Sequence, residues 1–472
     1  METIHLIGVC GTAMATLAAM LKDEGYIVRG SDQHVYPPMS DFLLAHEITC
    51  YDGFDAANVT PDVDMVVIGN AVSRGNPEVE AVLEQKIRYR SLPEMVREVW
   101  LWKRRSIVIA GTHGKTTTAA LVSWLLTDTG HDPSFLIGGL TGNFGSSYRL
   151  GQGQDFVIEG DEYDSAFFDK TPKFLKYLPD IAVVGNLEFD HADIYSDFSS
   201  LQVAVSRLVT LLPGQGLLLL GADSPPALEI GKGAPCVVST FGLSEAAEWR
   251  ATQIRPEPTG TSFTVERRGV PLAQLRTPLV GVFNVRNVLA AYVVANTVGI
   301  RSSAISDSLK NFVGVRRRLE IRGEERGVTV YDDFAHHPTA VRETLAGLRA
   351  AFPSRRIWAL FEPRSATACR RVFQGEFAEA FGDADEVIIG RVYRSSLPDN
   401  ERLSEVELVQ RIFELGSRAR YLPDVCDIVR AVTEEACNGD LVVVMSNGAF
   451  EGIHTRLLKE LAQSPPPGKG AF

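Results

Sequence analysis

A chain of 472 residues is too long to close around one hydrophobic core, and its pattern predicts an α/β protein of three domains. Short β-prone apolar runs alternate with helical stretches, at residues 3–7, 26–29, 65–73, 106–109, 156–158, 181–184, 216–220, 329–331, 357–361, 386–389 and 441–445. Strands that alternate with helices build parallel sheets. The ends of these runs carry glycines, paired acids, histidines and asparagines, the residue types that gather outside the carboxyl ends of strands in an open α/β sheet. One stretch stands apart. Residues 248–280 alternate apolar and polar, with turns at P-E-P-T-G (256–260) and R-R-G (267–269), so antiparallel strands are expected to attach to the middle domain.

Composition excludes several classes. With 59 acidic against 47 basic residues, the net charge is −12, which argues against a nucleic-acid binder. An anionic ligand must then be met by local clusters such as Arg316-Arg317-Arg318. The six cysteines, at 10, 50, 236, 369, 426 and 437, are scattered with no C-x-x-C pair, and read as reduced core or loop residues of a cytoplasmic protein. The chain opens M-E-T-I-H-L-I-G, directly into a strand, so no signal peptide is expected. No apolar run approaches the roughly 18 residues of a membrane span. The tail from residue 464, S-P-P-P-G-K-G-A-F, reads as disordered. No motif speaks to the oligomeric state.

The first domain, residues 1–103, begins with a strand at 3–7, then G-V-C-G-T-A-M (8–14), then a helix to about Glu24 stopped by Gly25. A second strand runs from 26 to 29 and ends at Gly30-Ser31-Asp32. This is the outline of a Rossmann-like nucleotide fold with an acid closing its second strand. The glycine fingerprint is degraded, with Cys10 at its middle position and Ala13 at its last. It fits NAD, a plain structural turn, or another nucleotide carrying a ribose and a diphosphate. Residues 65–73 leave a strand for a polar loop in which Asn70 and Ser73 either bind ligand or cap backbone groups. Pro93 and W-L-W-K-R-R (100–105) close the domain.

The central domain, residues 104–315, is organised around S-I-V-I-A-G-T-H-G-K-T-T-T (106–118). A strand runs through Gly111-Thr112-His113-Gly114 into a helix that starts near Lys115 and ends near Gly130. Backbone N–H groups and a helix N-terminus converging on one spot make a phosphate cradle. Lys115 is placed to reach β/γ-phosphates, and the Thr116 hydroxyl, followed by Thr117, to ligate Mg²⁺. Ile109 stands where the strict P-loop pattern has its first glycine, leaving the tighter G-x-x-G-K-T. The expectation is an ATP site on a parallel sheet of the P-loop ATPase type.

Two further strand ends share that edge. One opens E-G-D-E-Y-D (159–164), the other G-N-L-E-F-D-H-A-D (185–193). Mg²⁺ bound mainly through phosphate oxygens needs a nearby carboxylate, which nominates Glu159. His191 is either a further ligand or a hydrogen-bonding loop residue. G-V-F-N-V-R-N (281–287) opens a helix with Asn284 and Asn287 on its first-turn face, as capping residues or as readers of an adenine edge.

From about residue 316 strand–helix alternation resumes, giving a second Rossmann-like domain, 316–472. Its first strand ends in D-D-F-A-H-H-P-T-A (332–340); paired acids and histidines there favour a site over core filling. E-P-R-S (362–365) and S-N-G (446–448) end later strands.

With these segments assembled, the chain resembles the Mur ligase superfamily, ATP-dependent ligases of peptidoglycan precursors. The resemblance rests on G-T-H-G-K-T, E-G-D-E-Y-D, N-L-E-F-D-H, F-N-V-R-N, and R-R followed by D-D-F-A-H-H-P, in order along nearly the whole chain. The stretches G-V-C-G-T-A-M, G-S-D and N-A-V-S-R-G-N-P-E (70–78) are like the alanine-adding branch. V-Y-P-P-M-S (35–40), E-G-D-E-Y-D-S-A-F-F-D-K (159–170) and N-L-E-F-D-H-A-D (186–193) are closer to the murein peptide ligase branch.

The resemblance implies that UDP-N-acetylmuramate is bound by the first domain, through Gly8, Gly11, Thr12, Ser31, Asp32, Asn70 and Ser73. It implies ATP at Gly111–Thr117, with Lys115, Glu159 and His191 catalytic and Thr116, Glu159 and His191 serving Mg²⁺. Asn143 of a G-N-F-G loop, Asn284 and Asn287 would lie near adenine, and Arg318 and Asp333 near ribose or phosphate. His336, His337 and Arg364 are the candidates for the amine substrate. The implied reaction joins the carboxylate of UDP-N-acetylmuramate to the L-alanyl amine of L-Ala-γ-D-Glu-meso-diaminopimelate through an acyl phosphate, in peptidoglycan recycling; the alternative is addition of L-alanine in de novo synthesis. One departure is visible. Where some family members place a carbamylated lysine beyond the metal histidine, this chain reads Val205-Ser206-Arg207.

Overall fold

The inner strands of the parallel sheets are almost continuous apolar runs, the pattern of strands buried on both faces. I-V-I at 107–109, F-V-I at 156–158 and A-V-V at 182–184 are buried throughout. The computed structural model describes residues 2–190, 194–393 and 397–463. Among them no helix is long and apolar enough to cross a membrane. The chain divides into two compact units, residues 1–187, 199–249 and 290–308 in one, and 188–198, 250–289 and 309–472 in the other.

The first unit holds two sheets. In the N-terminal sheet, five parallel strands run in the order Thr49–Asp52, Ile27–Asp32, Thr3–Ile7, Met65–Ile68, Tyr89–Ser91. The strand expected to stop at residue 29 continues through Gly30, Ser31 and Asp32. Glycine makes that extension feasible: a Cβ on Gly30 would sit 2.6 Å from the Leu6 carbonyl oxygen and from Val9 Cβ. The second sheet sets Arg105–Ala110 between Pro179–Val184 and Asp155–Glu159. Leu217–Gly221 and Val237–Gly242 extend it on one side, and Ser134–Leu136 with the antiparallel Tyr148–Arg149 on the other. Trp100 links the two sheets, its indole N–H donating to Glu24 (3.0 Å) while its ring packs near Phe156.

The second unit carries the strands Trp249–Glu257, Gly260–Arg267 and Val270–Thr277, the last two paired antiparallel, in keeping with the alternation of residues 248–280. Its main sheet runs Glu320–Glu325, Val328–Asp333, Leu441–Met445, Ile357–Phe361, Glu386–Ile389, Arg418–Tyr421. Two strands here escape strict alternation. Glu320–Glu325 pairs antiparallel with Val328–Asp333 as a hairpin, and Arg418–Tyr421 adds a parallel edge. Both are charged edge strands with little apolar signal, as edges that resist aggregation usually are. The core lies on the sheet's two faces, around Phe361, Phe377 and Phe381 on one and Trp358, Ile428 and Leu457 on the other.

Candidate active site

The central strand Arg105–Ala110 turns through Gly111-Thr112-His113-Gly114 into the helix Lys115–Asp128. Gly111 has φ +122°, and a Cβ there would meet Asn186 O at 3.0 Å and Gly185 N at 3.1 Å. The loop is clamped by the neighbouring strand end. Thr112 N donates to Asn186 O (3.0 Å), and His113 N donates to Asn186 Oδ1 (2.8 Å). Gly114, at φ +83°, is the N-cap and brings no side-chain capping bond to the helix start.

Lys115 lies folded over this loop. Its ammonium donates to Gly111 O (2.7 Å), to Thr112 O (3.3 Å) and to Glu162 Oε1 (2.8 Å). Burial alone would lower the lysine pKa, but the charge of Glu162, helped by Asp161 and Glu159, outweighs it and raises the value above ordinary lysine. The cation is therefore charged at neutral pH and held at the cradle by two loop carbonyls and one carboxylate.

Glu159, ending its own strand, accepts from Thr116 Oγ1 at 3.1 Å and from Gly138 N at 2.7 Å. A hydroxyl and a carboxylate converging at a helix N-terminus form an all-oxygen donor set. Such hard donors, completed by phosphate oxygens, fit Mg²⁺. Thr117 is buried on the same first turn. Asn143 sits half-buried in the loop after Ser134–Leu136, next to Phe144, whose ring packs on Phe135. His191 lies outside the described residues.

The N-terminal sheet presents a second strand–glycine–helix turn. Gly8 and Val9 amides donate to Ser31 O (2.8 and 3.0 Å), and Cys10 N donates to Asp32 Oδ2 (2.8 Å). Gly11, Thr12, Asn70 and Ser73 are exposed, and Gly8 and Asp32 half-exposed, all at the carboxyl edge. Ser31 departs from this set: its side chain is fully buried and its hydroxyl donates to Glu78 Oε2 (2.5 Å). Only its backbone carbonyl serves the glycine loop.

In the second unit, Asn284 Nδ2 donates to Val280 O (2.8 Å) and Asn287 Nδ2 to Asn284 Oδ1 (3.1 Å), so the two amides form a chain along the start of the helix Val282–Thr297. Asp333 is buried inside its strand rather than beyond it, accepting from Leu319 N (2.7 Å) and Ala335 N (2.8 Å). Burial raises its pKa despite the Arg318 charge. Arg318 itself stacks on Phe334, 4.9 Å from the ring centroid.

The paired histidines have different settings. His337 is buried and caps the helix Pro338–Ala351, its Nδ1 accepting from Thr339 N (3.3 Å). That bond assigns the proton to Nε2, which faces Phe189 O at 3.2 Å. Both ring nitrogens thus meet protein groups. His336 is more open, with Nε2 3.9 Å from Asp190 Oδ2. The Arg364 guanidinium lies over Tyr393, 3.7 Å from the ring centroid, and 3.5 Å from Glu362.

Family profiles cover nearly all of this architecture. The Mur ligase family catalytic domain matches residues 3–101, the Mur ligase middle domain 109–295, and the Mur ligase glutamate ligase domain 317–448. The UDP-N-acetylmuramate–L-alanyl-γ-D-glutamyl-meso-2,6-diaminoheptandioate ligase of Escherichia coli is 40% identical over 465 residues, 98% of this chain and 98% of that one. The chain belongs to the Mur ligase family.

Mur ligases are ATP-dependent enzymes that form amide bonds, and this chain has their three-domain fold. A crystal structure of a murein peptide ligase from Psychrobacter arcticus matches with a TM-score of 0.71 at 34% identity, covering 98% of this chain and 100% of that one. A UDP-N-acetylmuramate–L-alanine ligase of Salinibacter ruber is 34% identical over 447 residues, 94% of this chain and 92% of that one.

Set within a Mur ligase, two residues gain a weight that the sequence pattern does not give them. Asn186 clamps the phosphate loop and Glu162 neutralises Lys115. Both stand inside the motifs N-L-E-F-D-H and E-G-D-E-Y-D, which are the signal that could have found them.

Proposed function

We propose that this Mur ligase couples the lactyl carboxylate of UDP-N-acetylmuramate to the L-alanyl amine of L-Ala-γ-D-Glu-meso-diaminopimelate, in the recycling of peptidoglycan. The observation that carries the reading is the meeting of Lys115, Thr116 and Glu159 at one strand–helix junction. The choice of tripeptide is supported by the 40% identity to the Escherichia coli tripeptide ligase, against 34% to the Salinibacter ruber alanine ligase.

A carboxylate and an amine do not condense near neutral pH, so the acid must first be activated. The carboxylate attacks the γ-phosphorus of ATP and ADP leaves; the amine then adds to the acyl phosphate, expelling inorganic phosphate and a proton. Lys115 and the N-terminus of the helix that it begins neutralise and orient the phosphates, which is most of what phosphoryl transfer asks of a protein. Thr116 and Glu159, with His191, would hold Mg²⁺, which when bound screens phosphate charge.

Residues 1–103 are assigned to the UDP-sugar, 104–315 to ATP and 316–472 to the amine substrate. Gly8, Gly11, Thr12, Asp32, Asn70 and Ser73 face the UDP-sugar, and Ser31 serves it through its carbonyl. Asn143, Asn284 and Asn287 are assigned to adenine, Arg318 and Asp333 to ribose or phosphate. Of the amine-substrate candidates, Arg364 and His336 carry polar groups at the strand ends, and His337 holds the helix behind them. A cytoplasmic location fits these substrates.

The second reading, L-alanine as the amine, is kept by the alanine-ligase kinship. Purified protein with ATP, Mg²⁺ and UDP-N-acetylmuramate separates the two: the tripeptide should release phosphate far faster than free L-alanine. The reverse order would assign the chain to alanine addition.

A further inference from the structure

The buried acid of the N-terminal sheet has no part in the chemistry above. Glu78 lies in the first turn of the helix Pro77–Gln85 and is 0% exposed. An acid at such a place ordinarily faces solvent and serves the helix dipole; this one points inward. Its Oε2 accepts from Ser31 Oγ (2.5 Å) and faces His5 Nε2 (3.1 Å). Its Oε1 accepts from Asn58 Nδ2 (2.7 Å) and from Asp55 N (3.2 Å). Four groups from three segments, residues 3–7, 27–32 and 55–58, therefore end on one carboxylate. Burial pushes its pKa up, but the His5, Ser31 and Asn58 contacts prevail and hold it below the usual carboxylate value. A buried charge with this many partners is an organising element, costly to break on any one side.

Two of those segments, and the helix that bears Glu78, adjoin the ligand-facing loops. His5 belongs to the strand that runs into Gly8. Ser31, fixed by its hydroxyl, offers its carbonyl to the Gly8 and Val9 amides, and the next residue offers its carboxylate to Cys10 N. On the helix side, Asn76 Oδ1 caps Glu78 N and Val79 N (3.0 and 3.2 Å), while Asn76 N donates to Ser73 O (3.3 Å). That last bond closes the loop bearing Asn70 and Ser73.

We infer that Glu78 is a positioning residue for the first-domain ligand: through Ser31 and Asn76 it sets the spacing between the glycine loop and the 70–73 loop, without touching the ligand. This rests on the assignment of UDP-N-acetylmuramate to that loop pair. It explains why an ionisable group is tolerated under a sheet end where an apolar one would pack as well, and it gives the N-P-E end of N-A-V-S-R-G-N-P-E a task.

The test uses the full-length enzyme carrying Glu78→Gln, which keeps shape and volume but turns one acceptor into a donor. Loss of a bond to a buried charged group should raise the KM for UDP-N-acetylmuramate about tenfold or more. The KM values for ATP and tripeptide, and kcat at saturation, should stay within about twofold. If the glutamine variant does not fold, Ser31→Ala cuts the same link while keeping the Ser31 carbonyl, with an expected rise of about threefold. An unchanged UDP-sugar KM overturns the inference, as does a parallel loss in all parameters, the mark of a merely structural role. Calorimetric binding of UDP-N-acetylmuramate to the unmodified enzyme separates the two claims. No binding there refutes the ligand assignment; binding with equal affinity in the variant refutes the role of Glu78 alone.

Discussion

Two turns in the first unit follow one plan, strand to glycine loop to helix, and offer a ligand opposite things. At residues 111–116 the loop carries a cation, Lys115, and an oxygen pair, Thr116 and Glu159. Residues 8–12 include no cation; their first three amides are engaged by Ser31 O and Asp32 Oδ2, as those of Thr112 and His113 are by Asn186. In the proposed function the first loop meets a triphosphate whose charge changes during reaction. The second, in the same proposal, holds its shape while hydroxyls and a diphosphate are read from outside. Glycine appears in both for different reasons. Gly111 is confined by Asn186 at φ +122°, whereas Gly11 has ordinary space, its nearest Cβ neighbour being Gly8 O at 3.5 Å.

The comparison breaks first at Lys115. Lys115→Ala should lower peptide-dependent phosphate release by on the order of a hundredfold or more, while UDP-N-acetylmuramate binding stays within about twofold. Loss of both together would mean the loops do not act independently. The glycines come next. Gly111→Ala should cost about 1–3 kcal/mol in denaturant unfolding and weaken ATP use, whereas Gly11→Ala should stay within about 0.5 kcal/mol. Asp32→Asn should raise the UDP-sugar KM about tenfold and leave the ATP KM alone, the mirror image of the Lys115 result.

The smallest effect is on acid stability. A carboxyl held below its ordinary value adds stability that is complete above the unfolded-state pKa and fades as pH falls through the folded one. For Glu78 the unfolded value is near 4.5. Denaturant midpoints of the unmodified enzyme should therefore fall more steeply below that pH than those of Glu78→Gln. Identical slopes would remove the ionised carboxylate from the account.

Much of the fold and of the phosphate loop is legible in the amino-acid sequence. Apolar runs bounded by Gly111, Asp32 or Glu159 announce both strand and site, because the same strand end that stops the sheet presents the polar groups. The motifs mark where the clamps lie, but not which residue each one holds. Asn186 reaches back 73 positions to His113, Glu162 reaches 47 to Lys115, and Glu78 reaches 73 to His5. Nothing local distinguishes an acid in E-G-D-E-Y-D that holds a lysine from one that faces water. His337, a candidate for the amine substrate, has a second task that its motif does not show: it caps a helix. The strands Glu320–Glu325 and Arg418–Tyr421 escape the apolar pattern for a related reason. Their side chains include Arg418, whose guanidinium lies 3.3 Å from Glu386, and a strand held by ion pairs leaves no apolar alternation to read.

The central claim is that the carboxylate of the sugar nucleotide is phosphorylated before the amine arrives. Ligation run with UDP-N-acetylmuramate labelled with ¹⁸O in both carboxylate oxygens tests it directly. The account predicts one labelled oxygen in each inorganic phosphate released and one retained in the amide. Phosphate free of label, with ligated product formed, would contradict it.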